Sequence, residues 1–533
     1  MNITEFAAYA GVSKAAVSRY FNGGYLSEEK RARIEAAAAA TGYRPSLQAQ
    51  MLRTRRTRQV LVILPKLSSE SCARMVEGIS AILEESGYQL LLVNTANDSS
   101  KEIAALHLLQ QNTVDGVILI ATIFTPEHRT ILSSLRLPVV ILGQKYPGFC
   151  SVSHDDRGAA RAKADPHRQK LHIQPPVGWL NDPNGLCKVG DTYHVFYQYG
   201  PFDPAGGVKH WGHVTSTDLL HWQHQPVMLC PDQPFDCHGN YSGSALCEDG
   251  QLWLFYTGNV KLPGRYDYIH EGREHNLCLA VSRDCLTADT KECRMRNADY
   301  PEGLSCHVRD PKVWRQDGVY YMVLGARTRE DRGECTLGDY HPLDGGFDYY
   351  APQSFADGER RLQFGWMGMP DAPYHNPTVE HGWQHCLTFP RQLCRKGELL
   401  VQAPADELKA LRGAPAALAD GAEMAVSPCF ELEAATGGSF ALTVAGGLTF
   451  ACDEAGSTAS LWFAGEALGA GRDRRTMELQ TPCRSVRVLA DASSLEIFVN
   501  GGEAVFTTRY YPEPGPVALR LEGAAGTVWP LAL

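Results

Sequence analysis

A short unit recurs four times between residues 182 and 366. Asp182-Pro183 leads through Gly190 to the apolar run Tyr193–Tyr197, and Gly243-Ser244-Ala245 leads through Gly250 to Leu252–Tyr256. Asp310-Pro311 leads through Gly318 to Val319–Leu324, and Ala351-Pro352-Gln353 leads through Gly358 to Leu362–Trp366. Each copy reads as a strand, a tight turn and a second strand. One such hairpin cannot bury its apolar face alone, so the repetition points to a β-propeller. Asp182 and Asp310 occupy the same place in their copies, before proline, which brings two acids near a common axis. Paired carboxyl groups there suit the cleavage of a sugar bond.

At 533 residues the chain is too long for one core and should divide into several domains. No run of eighteen apolar residues occurs, so no transmembrane helix and no membrane partner is expected. The start, Met1–Glu5, lacks a basic region followed by an apolar stretch, which predicts a cytoplasmic protein. Sixteen cysteines without a Cys-x-x-Cys pair fit free thiols in a reducing compartment better than a disulfide framework or a zinc site. His210, His213, His221 and His224 cluster without metal-ligand spacing and read as fold and pocket-rim residues. No metal and no cofactor is expected. The net charge of −10 hides a basic head: residues 1–58 carry +6 and the remainder −16. Nucleic-acid contact is therefore expected of the head alone.

In that head, Thr4–Ala10 reads as a first helix, Ser13 as the N-cap of a second through Phe21, and Ser27 as the cap of a third ending near Gly42. Helices around a glycine turn describe a helix-turn-helix. The run Gly11–Gly23, with Gly42–Pro45 and Ala49–Arg53, resembles the DNA-binding head, linker and hinge helix of the LacI repressor family. That resemblance implies that Lys14, Ala15 and Arg19 face base edges of an operator. It also implies that Leu52 wedges into the minor groove, with Arg53 and its neighbouring arginines at phosphates. Residues 59–163 alternate strands and helices and resemble the first subdomain of the sugar sensor of the same family. The second subdomain is missing, so an effector cleft would have one wall, and a homodimer through this region is left open.

Past residue 164 the text changes. Trp179–Gly185 (WLNDPNG), Trp211-Gly212-His213, Ser242–Ala245, Phe255–Gly258, Arg309–Lys312, Phe347–Gln353 (FDYYAPQ) and Gly365–Gly368 together resemble glycoside hydrolase family 32. The resemblance implies a multidomain fold. A five-bladed-type propeller spans 164–402, shortened near 327–345, and a C-terminal β-sandwich spans 403–533, behind the helix-turn-helix of 1–58 and the partial α/β subdomain of 59–163. It also implies hydrolysis of sucrose or sucrose-6-phosphate by a retaining mechanism. Asp182 matches the nucleophile and Asp310 the acid that steadies the fructosyl charge; Arg309 beside Asp310 should fix it and depress its pKa. Asn181, Gln198, Trp211, Tyr241, Ser242, Arg309 and Trp366 match positions that line the sugar pocket.

The acid/base position breaks the pattern. The family carries it in a Glu-Cys-Pro-Asp motif, and this chain has Glu334-Cys335 followed by Thr336-Leu337. Glu334 is either the surviving acid/base or a surface glutamate that happens to precede cysteine. The turn glycines fall at 190, 250, 318 and 358, so the last step is short by at least one blade. Three functions stand side by side: a β-fructofuranosidase, a DNA-binding regulator with an inert sugar-binding body, and a fusion in which neither part is competent.

Overall fold

A computed structural model describes the chain except residues 22–23, 45–55, 67–69, 110–113, 121–124, 144–145, 147, 153–155 and 331–340. It divides into two compact units, Met1–Asp155 and Asp156–Leu533.

The first unit opens with three helices, α1 (Ile3–Tyr9), α2 (Lys14–Tyr20) and α3 (Glu28–Thr41). Asn2 and Glu5 cap α1 reciprocally, and the Ser13 hydroxyl accepts from the Ala16 N–H to start α2. Gly42, in the left-handed region at φ 64°, stops α3. Phe6, Val17 and Ile34 have no exposed surface, and Tyr43 stacks on Phe6 at 4.1 Å. A five-stranded parallel sheet follows, in the order Gln89–Asn94, Gln59–Leu64, Gly116–Ile120, Val139–Leu142, Cys150–Val152. Helices Glu70–Glu85, Ser99–Leu108 and Pro126–Ser134 supply the crossovers that parallel strands require. The sheet stops there. Helix Asp156–Ala164 belongs to the second unit, so the division falls earlier than the boundary near 163 expected from the sequence.

The second unit is mostly β. Sheet I pairs Trp383–Gln384, Gly178–Val189, Thr192–Gly200, His210–Ser216 and Gln223–His224. Sheet II pairs Asn240–Glu248, Gln251–Lys261, Arg273–Ser282 and Thr290–Met295. Sheet III has only Leu304–Gln316 and Val319–Thr328 among the described residues. Sheet IV is built on Tyr350–Asp357, Arg360–Met367, Arg391–Lys396 and Leu399–Pro404. Each sheet contains one of the repeated hairpins, and the turn glycines Gly190, Gly250, Gly318 and Gly358 all have φ between 58° and 78°. In sheets II and III the preceding aspartate, Asp249 or Asp317, is left-handed as well, which makes the Asp-Gly turn that matches strand twist.

The C-terminal region holds a ten-stranded sheet. The long Phe430–Val444 pairs with Ser485–Asp491 and Val517–Pro530, and Ser494–Val499 and Ala504–Arg509 continue the sheet. Its apolar core, around Phe430, Leu432, Leu442, Phe450 and Ile497, is fully buried. Two buried polar networks join it to sheet IV and its neighbouring runs. Arg391 donates to Glu496 at 2.7 and 3.0 Å, and His172 bridges Asp491 and Glu496 at 2.8 and 3.3 Å. Arg472 grips Asp348, in the run after sheet III, with two bonds of 2.7 Å.

Candidate active site

The four inner strands share one irregularity. Strand register shifts between Leu180 and Pro183, between Tyr241 and Gly243, between Arg309 and Lys312, and between Tyr350 and Gln353. These bulges fall on Asn181-Asp182, Ser242, Asp310-Pro311 and Ala351-Pro352. A bulge adds a residue to one strand and re-aims its side chain, so the repeat places one functional position per sheet. Gly243 shows how tight the packing is: a Cβ there would lie 1.9 Å from the Phe255 carbonyl oxygen.

The strands are also tied to one another. Ser242 Oγ donates to Asp182 Oδ2 at 2.6 Å, and Gln198 Nε2 donates to Ser242 Oγ at 2.5 Å. Asn181 Nδ2 reaches both Asp182 Oδ1 (3.0 Å) and Gln198 Oε1 (3.1 Å), while Trp179 Nε1 donates to Asn181 Oδ1 at 2.7 Å. Both oxygens of Asp182 therefore accept a hydrogen bond, and its carboxylate is held in one orientation. Thr257 links the next position: its hydroxyl donates to the Ser242 carbonyl (3.3 Å) and accepts from the Asp310 N–H (3.0 Å). Asp310 itself sits at φ 61°, in the left-handed region. Gln353 Nε2 donates to the Gly243 carbonyl at 3.0 Å, so sheet IV meets sheet II as well.

The structure brings together Asn181, Asp182, Gln198 and Ser242 as one network, joined through Thr257 to Asp310 with Arg309 beside it. It corrects three expectations. Trp211 has no exposed surface; its ring packs among Phe196, Leu229 and Tyr256, and its Nε1 donates to the Tyr241 carbonyl at 3.1 Å. It is a core residue beneath the site, with Tyr241 half-buried above it. Trp366 is almost as buried and meets His385 edge-on at 5.0 Å, so the indole left at the surface is Trp179. The third correction concerns Asp310. Arg309 Nε stands 3.5 Å from its carboxylate, yet the pKa moves up to about 6, not down. The side chain keeps 47% of its surface but is recessed among protein atoms; this burial raises the pKa and outweighs Arg309, and the charge of Asp182 adds to the rise. Glu334, Leu52 and Arg53 lie outside the described residues.

Sequence reasoning missed Thr257, Gln353 and Lys209. The first two stood in recognised motifs, but only the tertiary pairing reveals their bonds. Lys209 lies two residues before Trp211; its ammonium sits over the Trp179 ring at 4.6 Å. Burial lowers its pKa to about 8 against the opposing charges of Asp182 and Asp203. Among the described residues no group of three metal-ligating side chains converges. A small cavity of about 190 Å³ opens between Trp179, Tyr374 and His385. A larger cavity of about 650 Å³, beside Glu433, Arg487 and Trp529 on the C-terminal sheet, has none of the candidate catalytic residues on its walls.

The Asp310 shift sets a pH test. The folded chain holds this proton more tightly than the unfolded chain, whose carboxyl titrates near the ordinary 3.8. Its contribution to stability is full below 3.8 and is lost as pH rises through about 6. Asp310→Asn is expected to flatten that fall, read as the thermal midpoint against pH; an unchanged profile would remove Asp310 as the group responsible.

Residues 172–337 and 334–404 match the Glycosyl hydrolases family 32 N-terminal domain, and 459–529 match the family's C-terminal domain. A sucrose-6-phosphate hydrolase of Bacillus subtilis (strain 168) is 34% identical over 451 residues, covering 66% of this chain and 91% of that protein. The chain belongs to glycoside hydrolase family 32. Another family 32 relative, a sucrose-6-phosphate hydrolase of Salmonella typhimurium, is 34% identical over 67% of this chain and 91% of its own length. The solved sucrose-6-phosphate hydrolase from Lactobacillus gasseri superposes with a TM-score of 0.64 at 25% identity, covering 77% of this chain and 99% of that one. The N-terminal family 32 match falls into two pieces that meet at 334–337, directly after the two strands of sheet III. Residues 2–46 match bacterial regulatory proteins of the lacI family, and 57–184, which overlap the start of the family 32 match, match periplasmic binding proteins and the sugar binding domain of that family.

Proposed function

We propose that the second unit binds the fructosyl group of sucrose or sucrose-6-phosphate and cleaves its bond by double displacement. The observation that carries this reading is the Asp182 carboxylate, fixed at a strand bulge with one oxygen bonded to Ser242 and the other to Asn181. A nucleophile aimed in this way attacks the anomeric carbon, and Asp310 steadies the positive charge that develops on the sugar. Asn181 and Gln198 orient hydroxyls, with Trp179 as the apolar wall. Lys209, with no ion-pair partner among the described residues, is the cation that meets a 6-phosphate. The four sheets are read as a five-bladed-type propeller that is missing part or all of one blade. Protonation of the leaving oxygen falls to Glu334 in this scheme; without such an acid the rate drops by about 10²–10⁴. Release of glucose from sucrose and from sucrose-6-phosphate tests the proposal, and absence of release from both sinks it.

Sheet III, with two strands among the described residues, and the single sensor subdomain favour a second reading, a regulator with a catalytically inert sugar-binding body. Its head, α1–α3, is then a helix-turn-helix. Lys14, Ala15 and Arg19 are exposed on α2, as base contacts must be. A gel shift on a palindromic operator should weaken steeply with salt, and Arg19→Ala should weaken it further. Binding that is indifferent to both would count against the head.

A further inference from the structure

The cavity of about 650 Å³ on the C-terminal sheet has no part in the reaction proposed at Asp182. Its walls come from Phe430–Val444, Ser485–Asp491 and Val517–Pro530, with Gly501 at one side. Strand register explains why a hollow forms there. Arg487, Glu433 and Thr527 lie side by side across the three strands, and so do Ser485, Ala435 and Ala525. Directly paired residues share a face of the sheet. The residues that alternate with them, Leu432, Ala434, Val486 and Val528, belong to the apolar core, so both rows stand on the opposite face. The first row carries long side chains and the second only small ones. The second row is therefore the floor of a trough, and the first is its wall. Ser485, Ala435 and Ala525 are all exposed, so a ligand can enter without rearrangement.

The wall is polar and its charges are balanced. Glu431, without exposed surface, accepts from Arg412 Nε at 2.8 Å and from Arg487 Nε. Glu433 shares Arg412, stands 3.7 Å from Arg487 Nε and keeps 42% of its side-chain surface. Two guanidinium groups thus face two carboxylates, and the cluster gives neither an anion nor a cation a net pull. Hydrogen-bonding capacity is left over all the same. Arg487 Nη2 is buried and has no hydrogen-bond partner among the described residues. A donor left in that state costs free energy until something accepts from it. At the end of the trough stands the half-buried Trp529. Arg412 lies over its ring at 4.1 Å but is not a wall of the cavity, so the cavity meets another side of the indole.

We propose that this cavity seats a neutral hexose unit of a saccharide, at a second carbohydrate site separate from the one around Asp182. Three features select that ligand. The volume lies within the range of about 300–1,000 Å³ usual for small-molecule sites. Sugar hydroxyls both donate and accept, so one ring can accept from Arg487 Nη2 and donate to Glu433 at once, with the Ser485 and Thr527 hydroxyls beside it. The indole of Trp529 supplies the apolar surface that the C–H side of a sugar ring covers.

The test is fluorine NMR of the full chain labelled with 5-fluorotryptophan. Trp529→Phe and Trp179→Phe assign the two resonances of interest. Methyl α-D-glucopyranoside and free fructose are the probes, because neither contains a fructosyl bond to cleave. The expected result is a saturable shift of the Trp529 resonance with at least one of these sugars and no shift with inorganic phosphate. Ala435→Phe fills the trough from an exposed position and is expected to weaken the response at least about tenfold, with an unchanged thermal midpoint. Ala525→Phe, on the neighbouring strand, is expected to do the same. The Trp179 resonance reports the candidate active site separately, so failure of that reading and failure of this one appear in different signals. A Trp529 resonance that ignores both sugars, that responds equally in the two filled variants, or that answers to phosphate in place of sugar would each overturn the proposal.

Discussion

Asp182→Asn is expected to abolish release of glucose while sugar binding persists. The amide fills the same space and keeps one acceptor for Ser242, but it has no charge with which to form a glycosyl ester. Loss of a central catalytic group lowers kcat by about 10⁴–10⁶ in well-studied hydrolases, and an effect of that order is expected here. The amide also meets Asn181 Nδ2, itself a donor, so a modest loss of local order should accompany it. Parallel assays of glucose release and of sucrose binding, followed by tryptophan fluorescence, separate the two effects. Equal turnover by the variant would take Asp182 out of the mechanism.

The largest effect on stability is expected from Arg472→Ala. Arg472 and Asp348 are buried to 0% and 1% exposure and share two bonds of 2.7 Å. Arg472 also donates to Asn376 Oδ1 at 2.8 Å and to the Gly469 carbonyl at 3.0 Å. Truncating it strands a carboxylate that retains the Arg509 N–H at 2.8 Å as its principal donor. Removing one partner of such a pair typically costs about 3–5 kcal/mol, because the other charge stays buried without compensation. Urea unfolding followed by the tryptophans, which all lie in the second unit, reports the loss. Asp348→Asn should cost a similar amount, and the double variant less than the sum of the two. Strict additivity would show that the pair does not act as one.

The local grammar of the chain was legible where short-range chemistry decides it. Turn glycines located the hairpins, and Ser13 marked the start of the second helix. The run Asn181-Asp182-Pro183 announced a site, and the structure brings Asn181, Asp182 and Ser242 into one network. What failed depends on distant partners. An indole reads the same in a core as on a pocket wall, and only the packing of sheets I and II decides that Trp211 is buried. Arg309 next to Asp310 in sequence argued for a lowered pKa, whereas the burial that wins comes from atoms remote in the chain. His172 and Arg391 lie far in sequence from Asp491 and Glu496, so nothing local signals their network. The short interval after Gly318 falls where sheet III has two strands among the described residues.

Each bulge is stabilised within its own hairpin, by its own turn and its own neighbouring strand. The site is thus assembled from stations shaped locally and then braced by one another, through Ser242 on Asp182, Thr257 on Asp310 and Gln353 on Gly243. Erasing one station would therefore remove its own functional group and also the brace it lends its neighbour.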